Sequence, residues 1–129
     1  NHKSALILGT GGASKAIAFA LNTLNIPFSF VSRTPDSKNC LGYDALNSEI
    51  IAAHQIIINC TPLGTHPKIE LYPPISYQEI SKDHLLFDLI YNPSQTQFLK
   101  FGLKAKATAV NGLRMLELQA EKSWGIWNS

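Results

Sequence analysis

The sequence predicts an α/β fold: a doubly wound, mostly parallel twisted sheet with helices on both faces. Three observations point there. A short apolar run, "ALIL" at Ala5 to Leu8, ends in the glycine-rich "GTGG" and opens straight into a helical pattern. Short apolar runs then alternate with helix-period stretches along the chain, and strands buried on both faces read as such continuous runs. With 45% apolar and 16% charged residues in 129, the chain has the composition of one packed core, a single domain over residues 1–129.

The elements follow in order. Ala5 to Leu8 is the first strand. Ala16, Ile17, Ala20, Leu21 and Leu24 recur at steps of three and four and give a helix an apolar stripe, which Asn25 before Ile26-Pro27 ends. "FSFV", Phe28 to Val31, is a second strand, followed by the turn-like "SRTPDSKN". A helix is expected over Asp44 to Ala53, and "QIIINC", Gln55 to Cys60, is the most hydrophobic strand candidate. Pro62, Pro67, Pro73 and Pro74 mark a long loop. Then come a strand at Leu85 to Ile90, a helix at Gln95 to Leu103, a brief strand at Thr108 to Val110 and an amphipathic helix over about residues 113–126. Trp124 and Trp127 lie in or just beyond that last helix.

Several function classes are disfavoured. A net charge of +2, with eleven Lys and Arg scattered along the chain, gives no long nucleic-acid footprint and no polybasic membrane anchor. No apolar run approaches the roughly 18 residues of a membrane span, and "NHKSALILG" lacks a secretory pattern. Cys40 and Cys60 have no CxxC spacing and read as reduced, packed thiols. A cytoplasmic address is the expectation. The four histidines, His2, His54, His66 and His84, have no ligand spacing, so no metal site is expected and all four read as surface or loop residues.

The glycine turn carries the chemistry. A strand ending in GxGG and opening into a helix brings backbone N–H groups and a helix N-terminus to one point, which favours an anionic phosphate. Gly9 allows the tight turn, Gly11 lets backbone approach a pyrophosphate, and small residues at Ala13, Ser14 and Ala16 allow close helix packing. Ser14 stands where the third glycine of GxGxxG would be. "GTGGASKA" also nearly fits the phosphate loop GxxxxGK[ST], with Lys15 aligned, but Ser14 replaces its glycine and Ala16 has no hydroxyl for magnesium.

The end of the second strand selects the dinucleotide. An acidic residue there binds the ribose hydroxyls of NAD, whereas a basic one accommodates the 2′-phosphate of NADP. Ser32, Arg33 and Thr34 offer a guanidinium and two hydroxyls without a carboxylate, so NADP is the expected cofactor. Asp36 comes later, beyond Pro35, and Lys38 is a possible second charge. Asn59 and Thr61 stand at a strand's carboxyl end, where open α/β sheets bind ligands, and turn chemistry before Pro62 accounts for them equally well. Asp88 inside "LFDLIY" needs hydrogen bonds to offset burial, which favours a structural partner over a site role.

Five motifs in order resemble the NADP-binding domain of the shikimate dehydrogenase family: "GTGGASKA", "SRT", "NCTPLG", "DLIYNP" and "NGLRMLELQA". The likeness covers essentially the whole chain and implies a Rossmann-like fold. It implies reduction of 3-dehydroshikimate to shikimate with NADPH, in aromatic amino acid biosynthesis. Carried over by position, Gly9, Thr10, Gly11, Gly12 and Ala13 would bind the pyrophosphate and Ser32, Arg33 and Thr34 the adenosine 2′-phosphate. Cys60, Thr61, Pro62 and Leu63 would pass beside the cofactor, and Leu89, Gly112, Met115 and Leu116 would line its nicotinamide end. Tyr91 and Gln119 match positions that reach toward shikimate. The sequence departs from the more familiar family pattern at Thr10, Cys60, Thr65 and Arg114.

In that family a Lys and Asp pair in an N-terminal substrate domain handles the proton. This chain starts just before the first nucleotide-binding strand, so no catalytic residue is expected within it. The expectation is a chain that binds NADP(H) but catalyses nothing alone, with its final helix packing on that other domain. The alternatives are a non-catalytic NADP-binding or sensing module, and a related quinate or shikimate oxidoreductase.

Overall fold

The computed structural model describes residues 4–34, 40–90 and 92–112. Six parallel strands form one sheet in the order β3-β2-β1-β4-β5-β6. They are β1 (Ala5–Leu8), β2 (Phe28–Ser32), β3 (Cys40–Gly42), β4 (Ile56–Asn59), β5 (Leu85–Asp88) and β6 (Thr108–Asn111). The helices are α1 (Gly12–Thr23), α2 (Ser48–Ala53) and α3 (Gln97–Lys104). β1 lies at the centre, with β2 on one side and β4 on the other, so the chain reverses its direction of winding there. This Rossmann-like α/β arrangement opens a crevice at the carboxyl ends of β1 and β4.

Each residue of β1 is fully buried, which explains its unbroken apolar run. Side chains alternate across a strand. Leu6 and Leu8 join Val31, Ile57 and Leu86 on one face, under Ile51 of α2 and Phe98 and Leu99 of α3. Ala5 and Ile7 join Ile58 on the other face, under Ile17, Ala18 and Leu21 of α1.

The helix ends obey local rules. After α1, Asn25 adopts a left-handed conformation, the Ile26 N–H donates to the Leu21 carbonyl and the Asn25 N–H to that of Asn22. This double bond pattern closes a helix C-terminus. α3 ends identically, with Lys106 left-handed, Ala107 bonded to Gly102 and Lys106 to Leu103. Asn47 caps α2 by accepting from the Ile50 N–H at 2.9 Å.

Three sequence readings are corrected. β3 was not anticipated, because it is three residues long and follows a turn-like stretch. The helix expected over Asp44 to Ala53 divides into a 3-10 turn at Tyr43–Ala45 and the short α2, since Asn47 stops one and caps the other. His84 is buried, not a surface residue. Its Nδ1 accepts from the Ser81 N–H at 3.1 Å, so its Nε2 carries the proton donated to the Ile51 carbonyl at 2.8 Å.

The core makes a first prediction. Phe98 is wholly buried and meets Tyr77 edge-on at 6.2 Å between ring centroids. Phe98→Ala is expected to cost about 3–5 kcal/mol of stability, read as a lowered midpoint in urea unfolding.

Candidate functional site

The carboxyl edge of the sheet collects most of the residues singled out in the sequence. Gly9 follows β1 with φ of +108°, a conformation that disfavours any side chain, and a Cβ there would stand 3.3 Å from the Thr61 methyl. Gly11 is the N-cap of α1 and Gly12 its first residue. No side chain caps this helix end, and no acidic residue lies in its first turn, so its N–H groups stay available. A Cβ at Gly11 or Gly12 would meet nothing within 4 Å. Neither positive φ nor packing asks for glycine at these two positions, and the bare backbone faces open space, the form a pyrophosphate needs. Ser14 is buried and donates to the Gly11 carbonyl at 2.6 Å, filling the close-packing role of the absent third glycine.

A cleft of about 330 Å³ runs along this edge. Gly9 and Thr10 line it after β1, Ser32 and Arg33 at the end of β2, and Thr61, Pro62 and Leu63 in the loop after β4. Arg33 is the one charged residue among its described lining. Thr34 is exposed, and its N–H donates to the Ser32 Oγ at 3.2 Å. Ala13 is exposed in the first turn of α1. Tyr43 lines the same cleft; no motif in the sequence around it signalled it.

Beneath the cleft lies a buried hydrogen-bond network. Asn59 is fully buried, and its Oδ1 accepts from the Thr61 N–H at 3.0 Å and the Thr61 hydroxyl at 2.6 Å. The Leu63 N–H donates to the Thr61 Oγ1 at 3.2 Å. On its other side Asn59 Nδ2 donates to Asp88 Oδ1 at 3.1 Å. The Asp88 carboxylate also accepts from the Ile90 N–H at 3.0 Å and the Thr96 hydroxyl at 2.6 Å. Thr96 in turn caps α3 through the Leu99 N–H. Of the two readings of Asn59 and Asp88, these bonds favour the structural one: both shape the loops and neither reaches solvent.

Cys60 is half-buried, and desolvation with the nearby Asp88 charge pushes its thiol up to about 12. It is a neutral thiol beside the cleft and not a nucleophile at neutral pH. Leu89 and Gly112 do not line this cleft but meet each other at the ends of β5 and β6. A Cβ on Gly112 would collide with the Leu89 carbonyl. Tyr91, Met115, Leu116 and Gln119 lie outside the described residues, as do Asp36, Lys38, Arg114, the two tryptophans and the expected final helix. Among the described residues no group of His, Cys, Asp or Glu is arranged to hold a metal, and no helix is long and apolar enough to cross a membrane.

The strand order and the crevice at its reversal point define a Rossmann-like domain of the nucleotide-binding class. No family model matches the chain. The shikimate dehydrogenase (NADP(+)) of Methanococcus aeolicus is 38% identical over 135 residues, taking in 95% of this chain and 48% of that protein. A solved shikimate dehydrogenase in complex with NADP+ is 30% identical with a TM-score of 0.76, over 98% of this chain and 49% of its own. The shikimate 5-dehydrogenase of Listeria monocytogenes, solved with shikimate and NAD, shares the fold at a TM-score of 0.80 and 24% identity, over 98% of this chain and 51% of its own. This chain belongs to the shikimate dehydrogenase family, and it spans about half the length of the curated relatives it matches.

Two predictions follow from the packing and the network. Gly112→Ala is expected to destabilise by about 1–3 kcal/mol, toward the upper end because the obstacle is backbone, as measured by urea unfolding. Burial raises the Asp88 carboxyl above its ordinary 3.8, against hydrogen bonds from Thr96, Ile90 and Asn59 that lower it. A carboxyl raised on folding contributes stability that is complete below its unfolded value and lost as pH rises through its folded value. Asp88→Asn abolishes that titration, so its cost relative to wild type should be largest near pH 4 and smaller near pH 7 in paired unfolding titrations.

Proposed function

We propose that this chain is the NADP(H)-binding part of a shikimate dehydrogenase, an enzyme transferring hydride between NADPH and 3-dehydroshikimate to give shikimate. The observation that carries the reading is the pairing of an uncapped helix end behind bare Gly11 and Gly12 with Arg33 in a cleft whose described lining holds no carboxylate. The first-turn N–H groups of α1 hold the pyrophosphate, with Gly9 and Thr10 forming the turn before them. Ser32, Arg33 and Thr34 take the 2′-phosphate, where a guanidinium fork suits the charge and shape. Thr61, Pro62 and Leu63 flank the dinucleotide beside Cys60, and Leu89, Gly112, Met115 and Leu116 form its nicotinamide end. Tyr91 and Gln119 contact the sugar acid.

When bound, the nicotinamide supplies the hydride that goes to the carbonyl carbon, while a proton must reach the carbonyl oxygen. Among the described residues lining the cleft there is no lysine, histidine or carboxylate to give that proton. The chain's part is therefore to hold and orient the cofactor. Alone, it should bind NADPH without turning over 3-dehydroshikimate; saturable oxidation of NADPH by this chain with that substrate would contradict the reading.

Arg33→Glu tests the cofactor choice. It is expected to weaken NADP+ at least about tenfold while changing NAD+ much less, as for loss of a hydrogen bond to a charged group. Calorimetric titration of both cofactors reads the difference, and equal losses would show that Arg33 does not recognise the 2′-phosphate.

A further inference from the structure

Tyr43 is an aromatic residue in the cleft that the family motifs do not include. It follows β3 directly and opens the 3-10 turn Tyr43–Ala45, whose geometry is held by the Leu46 N–H donating to the Tyr43 carbonyl at 3.2 Å. The parallel register aligns Gly42 with Ser32, so Tyr43 and Arg33 each stand one step beyond an aligned pair. The Arg33 charge is close enough to act on the Tyr43 hydroxyl, which burial raises on balance. The half-buried ring packs on the core beside Leu41 and Ile50 and also lines the cleft. Its hydroxyl has no hydrogen-bond partner among the described residues.

The strand order gives the cleft two unlike flanks. Tyr43 closes it from β3, and Pro62 and Leu63 close it from beyond β4, with Val31, Arg33 and Gly9 between them. An aromatic ring at one end of the cleft, apolar residues at the other and Arg33 as the one charge of its described lining match a flat heteroaromatic base whose ribose carries a phosphate. A plain phosphate or a sugar phosphate would leave the aromatic and apolar parts of this lining without use.

We propose that Tyr43 is a binding residue for the adenine base, its ring forming the stacking wall of the adenosine end while Arg33 takes the phosphate. This rests on the reading that the cleft binds NADP(H), and it divides that site's recognition in two. Tyr43 recognises the base, which NAD and NADP share, and Arg33 recognises the phosphate, which they do not.

The test uses the chain itself with 2′,5′-ADP, 5′-AMP and NADP+ as probes in calorimetric titrations, and urea unfolding to check each variant's fold. Tyr43→Ala is expected to weaken 2′,5′-ADP and 5′-AMP by the same factor, about tenfold, in line with loss of one base–aromatic stack. Tyr43→Phe should stay within about twofold of wild type, since the ring and not the hydroxyl makes the wall. Arg33→Glu should weaken 2′,5′-ADP and NADP+, which carry the 2′-phosphate, and leave 5′-AMP much less affected. Tyr43→Leu, which keeps apolar packing on the core, serves if the alanine variant does not fold, and should show the same uniform loss.

Unchanged affinity for 2′,5′-ADP in a folded Tyr43→Ala or Tyr43→Leu variant would overturn the inference and leave the NADP reading intact. An equal loss in Tyr43→Phe would also overturn it, because the hydroxyl would then be the group at work. Failure of the wild-type chain to bind either 2′,5′-ADP or NADP+ would overturn both readings together.

Discussion

The Asp88 carboxylate is the point from which the carboxyl edge of the sheet is hung. A buried carboxylate is costly unless donors surround it, and here three segments supply them: Asn59 at the end of β4, Ile90 after β5 and Thr96 before α3. Each donor belongs to a segment with its own further task. Asn59 passes the constraint on to Thr61, and Thr61 to Leu63, so the wall of the cleft takes its shape from a side chain on a different strand. Thr96 passes it on to the first turn of α3. A network satisfied in this way specifies one arrangement of loops, because removing any member leaves its neighbours buried and unpaired.

The glycines divide by the physical demand placed on them. Gly9 and Gly64 have positive φ, and Gly112 has no room for a side chain; at these the backbone itself requires the residue. Gly11 and Gly12 face open space with ordinary conformations available to any residue. Nothing within the fold asks for them. Together with the uncapped end of α1 and Arg33, they are the part of this edge on which the proposed cofactor site rests.

The sheet was readable because a strand covered on both faces must be apolar throughout, and β1, β4 and β5 are short enough for the run to stand out. α1 was readable from its period and from Asn25, whose left-handed conformation ends it. β3 was not, since three residues carry no period, and with it Tyr43 was lost, which enters the cleft through strand order and not through any motif. The burial of His84 was equally invisible, because its partner carbonyl lies far away in sequence on α2. The residues of the glycine turn and of "SRT" were legible from position; how Asn59 and Asp88 divide structural from ligand work needed the bond network.

The segment between β4 and β5 carries a single 3-10 turn, Tyr77–Glu79, where a right-handed crossover usually carries a helix. Its inner side is nevertheless core: Pro73, Ile75 and Ile80 are buried beneath the sheet, and His84 ties its end to α2. Such a segment is irregular in conformation yet behaves as a structural layer. The freedom to lengthen or shorten that surface loops ordinarily enjoy is greatest here in the exposed stretch around residues 66–72, and is lost where Pro73, Ile75, Ile80 and His84 are buried.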